Sequence, residues 1–281
     1  MAWTETARRD HGRRGGRYSS DLTDREWALL APLLPGRRRL GRPRTTDLRD
    51  VVNAIQYIAA AGCQWSLLPR DFPPFTTVQR YFYDWRNGGL LRAINHLMVM
   101  AARELEGREA SPSAGVIDSQ SVKTTESGGP RGFDAGKRIK GRKRHIVTDT
   151  LGLMVGAVVH SAGVQDRDGA PMVLRSIRKS WPWLRHVFAD GGYAGPKLRC
   201  ALKGEGDWHI EIIKRSDTAR GFKVLPRRWV VERTFAWLGR CRRLAKDWEA
   251  SIASAEAWLL IAHIRIMIRR LARFHAAPVQ L

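Results

Sequence analysis

The sequence predicts a mixed α/β fold, in which a small all-helical region precedes a mixed five-stranded sheet with flanking helices. Three observations predict it. Apolar residues recur at helical spacing, behind capping residues, through the first hundred positions. A stretch rich in small and polar residues, GREASPSAG near 107–115, interrupts that pattern. Beyond it, short apolar runs alternate with helical segments, as in a sheet with helices on its faces. The division is a basic arm over 1–20, a helical region over 21–106, a linker over 107–114 and an α/β unit over 115–281.

Residues 1–20 mix Gly, Ser and Arg without periodicity, the signature of a flexible basic arm. Thr23-Asp24-Arg25-Glu26 is a capping box, and Trp27, Leu29, Leu30 and Leu33 follow it at helical spacing until Pro35. After the basic turn GRRRLGRPR, Asp47 can cap a helix carrying Val51, Val52, Ile55 and Ile58, which Gly62 ends. A third helix is expected over 76–85, with Val78, Tyr81, Phe82 and Trp85 at helical spacing and Gln79, Arg80, Tyr83 and Arg86 on other faces. Gly88-Gly89 separates it from a fourth, ending near Glu106. Such a group can present a helix to a DNA major groove, as helix-turn-helix proteins do, or serve as plain scaffold.

In the second half, strands are expected over 115–118, 145–148, 153–159, 187–189 and 209–213, with a hairpin turn at Asp149-Thr150-Leu151-Gly152. Helices are expected over 169–180, 196–202, 226–244 and 251–274.

The chain's 49 Lys and Arg against 27 Asp and Glu leave a formal charge of +22, the footprint of a nucleic-acid binder. Neither a secretory leader nor a membrane span is evident, so a soluble cytoplasmic protein without membrane contact is expected. Cys63, Cys200 and Cys241 are widely spaced and form no CxxC pair, which argues against a disulfide framework or zinc ribbon.

Asp118 and Asp190 each follow an apolar run, at the strand ends where open α/β sheets place their ligands. If those strands are parallel neighbours, the two acids meet. They then repel unless one is protonated or a cation lies between them, and a hard divalent ion such as Mg2+ suits oxygen donors. Glu232 lies amid apolar residues on a helix, where an acid is costly without a partner. A salt bridge to Arg228 or Arg243, on the same helical stripe, satisfies it as well as a metal does.

Together Ile117-Asp118-Ser119-Gln120-Ser121-Val122-Lys123, the run Gly136 to His145, Ala189-Asp190-Gly191-Gly192-Tyr193 and Trp229-Val230-Val231-Glu232-Arg233-Thr234-Phe235 resemble the motifs of bacterial insertion-sequence transposases of the IS-five group. The likeness covers nearly the whole chain, with Leu22 to Trp27 and Leu33-Leu34-Pro35 resembling the family's helical amino-terminal region. The resemblance implies an RNase H-like catalytic domain of the DDE type, in which Asp118, Asp190 and Glu232 hold two Mg2+ or Mn2+ ions. It implies cleavage at an element's terminal inverted repeats and strand transfer by the freed 3′ hydroxyl. The partners implied are double-stranded DNA at element ends and target and a second copy of the chain, with no small-molecule cofactor. Arg228 stands where the superfamily often has an Arg. Leu225 replaces its Tyr and Gly239 its Lys, which leaves a hairpin intermediate open; Arg240 or Arg243 can substitute as phosphate clamps.

Between the first two strands lies a long connection crowded with cations: Lys123, Arg131, Lys137, Arg138, Lys140, Arg142, Lys143 and Arg144. Such a strip suits a phosphate backbone. Trp229 and Trp237 are expected to pack in the core, base stacking being the alternative, and Asp166 and Asp168 to cap a helix. A non-catalytic DNA-binding regulator, or a nuclease that only hydrolyses DNA, are the competing readings; the acid trio argues against the first.

Overall fold

The computed structural model describes residues 5, 16–36, 43–213 and 228–274. Most of the basic arm, the centre of the basic turn, Leu225 and the proposed start of the 226–244 helix lie outside the described residues. The end of the arm is anchored: Arg17 pairs with Asp50 at 2.5 Å, and the Tyr18 ring packs against Tyr57 and Phe72.

Helix α1 (Asp24–Leu30) begins with the expected reciprocal capping box between Thr23 and Glu26. Asp47 caps α2 (Leu48–Ala61), and Gly62 ends it at φ 73°, a conformation that glycine adopts without steric cost. Helices α3 (Phe75–Asn87) and α4 (Leu90–Leu105) follow. On α3, Val78, Phe82 and Trp85 are buried, while Arg80 and Tyr83 face outward.

Among the described residues, six strands build the sheet: β1 (Ala114–Lys123), β2 (Gly132–Asp134), β3 (Ile139–Asp149), β4 (Met154–Ser161), β5 (His186–Ala189) and β6 (His209–Ile212). The main order is β4–β3–β1–β5–β6, with the short β2 paired to the start of β3. β1 is antiparallel to β3 and parallel to β5, and β5 is parallel to β6. The crossovers run through α5 (Asp166–Ile177) and α6 (Pro196–Leu202). Helices α7 (Trp229–Leu238) and α8 (Ile252–Phe274) complete the fold.

Side chains alternate across a sheet, and this sorts the layers. Ser119 and its cross-strand partner His145 meet the α5 side, where a Cβ on Gly169 would stand 2.7 Å from the His145 ring. Asp118 and its partner Ile146 therefore face the other way, and α7 packs on β1 and β3. Helix α8 touches β4 and each of α1 to α4, so one apolar cluster runs through both halves of the chain. At its centre His263 accepts the Met154 N–H at 2.9 Å and meets the Asn95 carbonyl oxygen at 2.5 Å.

Three expectations are corrected. The connection between the first two strands is largely strand: β1 continues to Lys123 and β3 begins at Ile139, in register from Gly115 opposite Asp149 to Lys123 opposite Gly141. The sheet therefore has a sixth strand, β2. Helix α7 stops at Leu238, with Gly239 at its end and a separate turn over Arg242–Leu244, so Arg240 and Arg243 do not continue its stripe.

Candidate active site

Strand β5 pairs with β1 only from Ala114 opposite His186 to Val116 opposite Phe188. Extending that register by two residues sets Asp190 opposite Asp118. Asp118 is thus inside β1 rather than at its end, at the point where β1 loses its neighbour and the sheet opens. Asp190 starts the turn Gly191–Tyr193, and its Oδ1 accepts the Gly192 N–H at 2.8 Å. Asp118 Oδ1 accepts the Ser119 N–H at 2.7 Å. Each aspartate so fixes one oxygen on its own backbone, and among the described residues its Oδ2 has no hydrogen-bond partner.

Burial pushes the Asp118 carboxyl up to about 6, the Ser119 N–H opposes that, and the neighbouring Asp190 charge adds to it; Lys137 and Arg228 pull weakly the other way. Glu232, with 47% of its side chain exposed, accepts from Arg228 Nη2 at 3.0 Å across one helical turn. Arg228 thereby links Glu232 to the field around Asp118. Among the described residues, the three acids do not form a group whose oxygens all lie within 4.8 Å of one another. The donor set is nonetheless what a hard divalent ion takes: carboxylate oxygens, two of them uncommitted.

Lys137 approaches Asp118 closely enough to act on its charge. It projects from the β2–β3 turn and its Nζ donates to the Ser119 carbonyl at 2.9 Å. Asp166, read from the sequence as a helix-capping residue, also reaches this region. Its Oδ1 accepts from Ser119 Oγ at 2.7 Å and from Lys143 Nζ at 2.8 Å, which hold its carboxyl below the usual range despite burial. Beneath it a buried chain runs from Tyr193 Oη to His145 Nε2 at 2.7 Å, then to His160 at 3.3 Å. Only the proximity of Asp166 to a strand-end glycine turn in three dimensions reveals it; its sequence neighbourhood resembles any helix start.

The basic residues divide. Lys123, Lys137, Arg138, Lys140 and Arg240 are exposed. Arg142, Lys143, Arg144 and Arg243 are buried and hold protein partners, which removes them from a phosphate-contact role. Arg142 is 0% exposed and donates to Asp247 and to the carbonyls of Pro130, Glu249 and Ala250. Arg144 donates to the carbonyls of Leu244 and Lys246, Lys143 to Val164 and Asp166, and Arg243 to Glu249 and Cys63. Trp229 is 40% exposed rather than core; the Arg233 guanidinium lies between it and Trp237, 4.4 and 4.6 Å from the two rings.

Comparison with known proteins identifies the family. Residues 109–267 match the family model described as "Transposase DDE domain", and residues 22–95 match "Putative transposase of IS4/5 family". The chain is 40% identical over 114 residues to a "Putative transposase for insertion sequence element IS402" from Burkholderia cepacia, a match covering 37% of this chain and 52% of that one. It is 27% identical over 85 residues to an uncharacterised protein, y4sN, from Sinorhizobium fredii, covering 30% and 66%. The matched stretches thus span about half to two thirds of these relatives' lengths. No solved structure matches.

Proposed function

We propose, for a chain that belongs to the DDE transposases of the IS4/5 family, that it binds the terminal inverted repeats of an insertion sequence, cuts them and joins the freed 3′ hydroxyl to target DNA. The observation that carries this is the β1–β5 register, which brings Asp118 and Asp190 together at the open part of the sheet beside the helix bearing Glu232.

In this reading Asp118, Asp190 and Glu232 hold two Mg2+ or Mn2+ ions, which when bound supply activation of the attacking oxygen and stabilisation of the leaving oxygen in an in-line displacement. The Ser119 and Gly192 N–H groups each hold one oxygen of the two aspartates, and the second oxygens would serve as ligands. Arg228 and Lys137 bring positive charge beside the acids and can meet the non-bridging oxygens of the phosphate. Water attacks first and the released 3′ hydroxyl second; both steps exchange one oxygen on phosphorus for another, so one site serves both.

The helical region contributes the exposed face of α3, Arg80 and Tyr83, to the element end, while Lys123, Arg138, Lys140 and Arg240 contact phosphates. Two ends must be processed together, so the active form is at least a dimer on DNA in the bacterial cytoplasm.

Purified protein incubated with Mg2+ and labelled element ends, beside Asp190→Ala, tests the proposal. Cut and joined products from the wild type alone are expected. Cutting without joining leaves a nuclease, and tight binding with neither product leaves a regulator.

A further inference from the structure

A second group of metal-ligating side chains lies at the sheet edge, away from the acids. His209 and Glu211 are two residues apart on β6, hence on one face of the strand, and parallel pairing sets His186 of β5 beside His209. One ligand atom from each of the three lies within 4.8 Å of the other two. His186 Nε2 is 2.7 Å from Glu211 Oε2, and the two imidazole rings are centred 4.7 Å apart. His209 is exposed, and the others are half-buried. His186 and Asp190 are four steps apart along extended chain, about 13 Å, so this group is distinct from the aspartates.

We propose that His186, His209 and Glu211 form a binding site for a divalent transition ion of the zinc type. Two imidazoles and one carboxylate are the donors that zinc, cobalt and nickel prefer, whereas Mg2+ prefers an all-oxygen set. Zinc binds such ligands at about 2.0–2.2 Å in a tetrahedron, so the donor atoms need to settle roughly 3.3–3.5 Å apart. The present spacing requires a small adjustment of the side chains. Three protein ligands leave the fourth position to water. Ligation uses a neutral imidazole and an ionised carboxylate, so the ion takes the place of the His186–Glu211 hydrogen bond. The bound ion cross-links the edge strand β6 to β5, and so favours the folded state by mass action.

The test uses the full chain stripped of metal, carrying Asp118→Asn and Asp190→Asn so that the catalytic acids do not contribute, and reads binding rather than transposition. Zn2+ is titrated by calorimetry, and Co2+ by its visible absorption, with millimolar Mg2+ present. One ion per chain and a higher melting temperature with Zn2+ are expected. His209→Ala, at an exposed position that the fold does not depend on, should weaken binding by at least tenfold, about the loss caused even by removing an outer-shell partner, and abolish the thermal shift; Glu211→Gln should do the same. Absence of saturable Zn2+ binding, or the same affinity in His209→Ala, overturns the site and leaves a His–Glu hydrogen bond only.

Discussion

The acid cluster and the inner half of β3 treat charge in opposite ways. Asp118 and Asp190 are a minority charge on a strongly basic chain, yet the sheet sets them near each other and leaves them incompletely neutralised, with Asp118 pushed up to about 6. Arg142, Lys143 and Arg144 form the densest run of cations, yet they are buried and satisfied by carboxylates and carbonyls from distant segments. Unspent charge marks the place where a ligand is needed, and fully partnered charge marks a place where the fold is held. Density of charge along the sequence distinguishes neither.

The contrast can be broken most decisively at Asp190. Replacing it with Asn should lower cut and joined products by about 10³-fold or more, since the charge stabilisation that metal ions supply is worth several kcal/mol. DNA affinity should stay within a few-fold in a filter-binding or anisotropy assay. Near-normal cleavage would separate the acid cluster from the chemistry.

On the other side, Arg142→Met strands Asp247 in the interior. Breaking a buried pair in this way costs about 3–5 kcal/mol, and a melting temperature lower by roughly 10 °C is expected. Lys140→Ala, exposed on the same strand, should melt like the wild type. Equal melting of the two variants would show that burial of β3's cations carries no structural weight.

Acidity sharpens the comparison further, because the signs differ. Burial holds His145 and His263 down near 3, so both are neutral in the folded protein. Their contribution to stability is present above about 6.5, the ordinary histidine value, and is lost as the pH falls toward 3. Asp118 behaves in reverse: its contribution is present below its ordinary value and lost as the pH rises through about 6. In EDTA, Asp118→Asn should therefore be more stable than the wild type at pH 7, and the difference should vanish near pH 4 in urea unfolding.

The smallest effect belongs to the exposed cations. Lys123→Ala, Arg138→Ala and Lys140→Ala should each reduce the slope of log affinity against log salt by up to about 0.9, the value for one phosphate contact, without a change in melting. An unchanged slope in the triple variant would remove this edge from the DNA path.

Local chemistry specified much of the fold directly. The capping box at Thr23 and Glu26, the glycine stop at Gly62, the hairpin at Asp149 to Gly152 and the limits of α6 at Pro196 and Leu202 all depend on residues within a few positions of one another. The motifs around Asp118, Asp190 and Glu232 pointed to the family for the same reason: each is a short run whose residue types are themselves the signal. The basic stretch misled because Lys-Gly-Arg-Lys-Arg has the composition of a loop, while its strand conformation is set by pairing with β1 and by acceptors a hundred residues away. Trp229 and Trp237 look like core residues by hydrophobicity but lie along the side of α7 not used for packing, where Arg233 fills the space between them.

The sequence by itself determined where most of the helices of the first half begin, which acids are candidates and which family the chain resembles, because propensities, caps and motif spacings act over a few residues. Only the tertiary structure decided which cations reach solvent, that Lys137 and Asp166 border the acids, and that two histidines and a glutamate converge at the sheet edge. Those outcomes depend on strand order and register, and these are fixed by contacts between segments far apart in the chain.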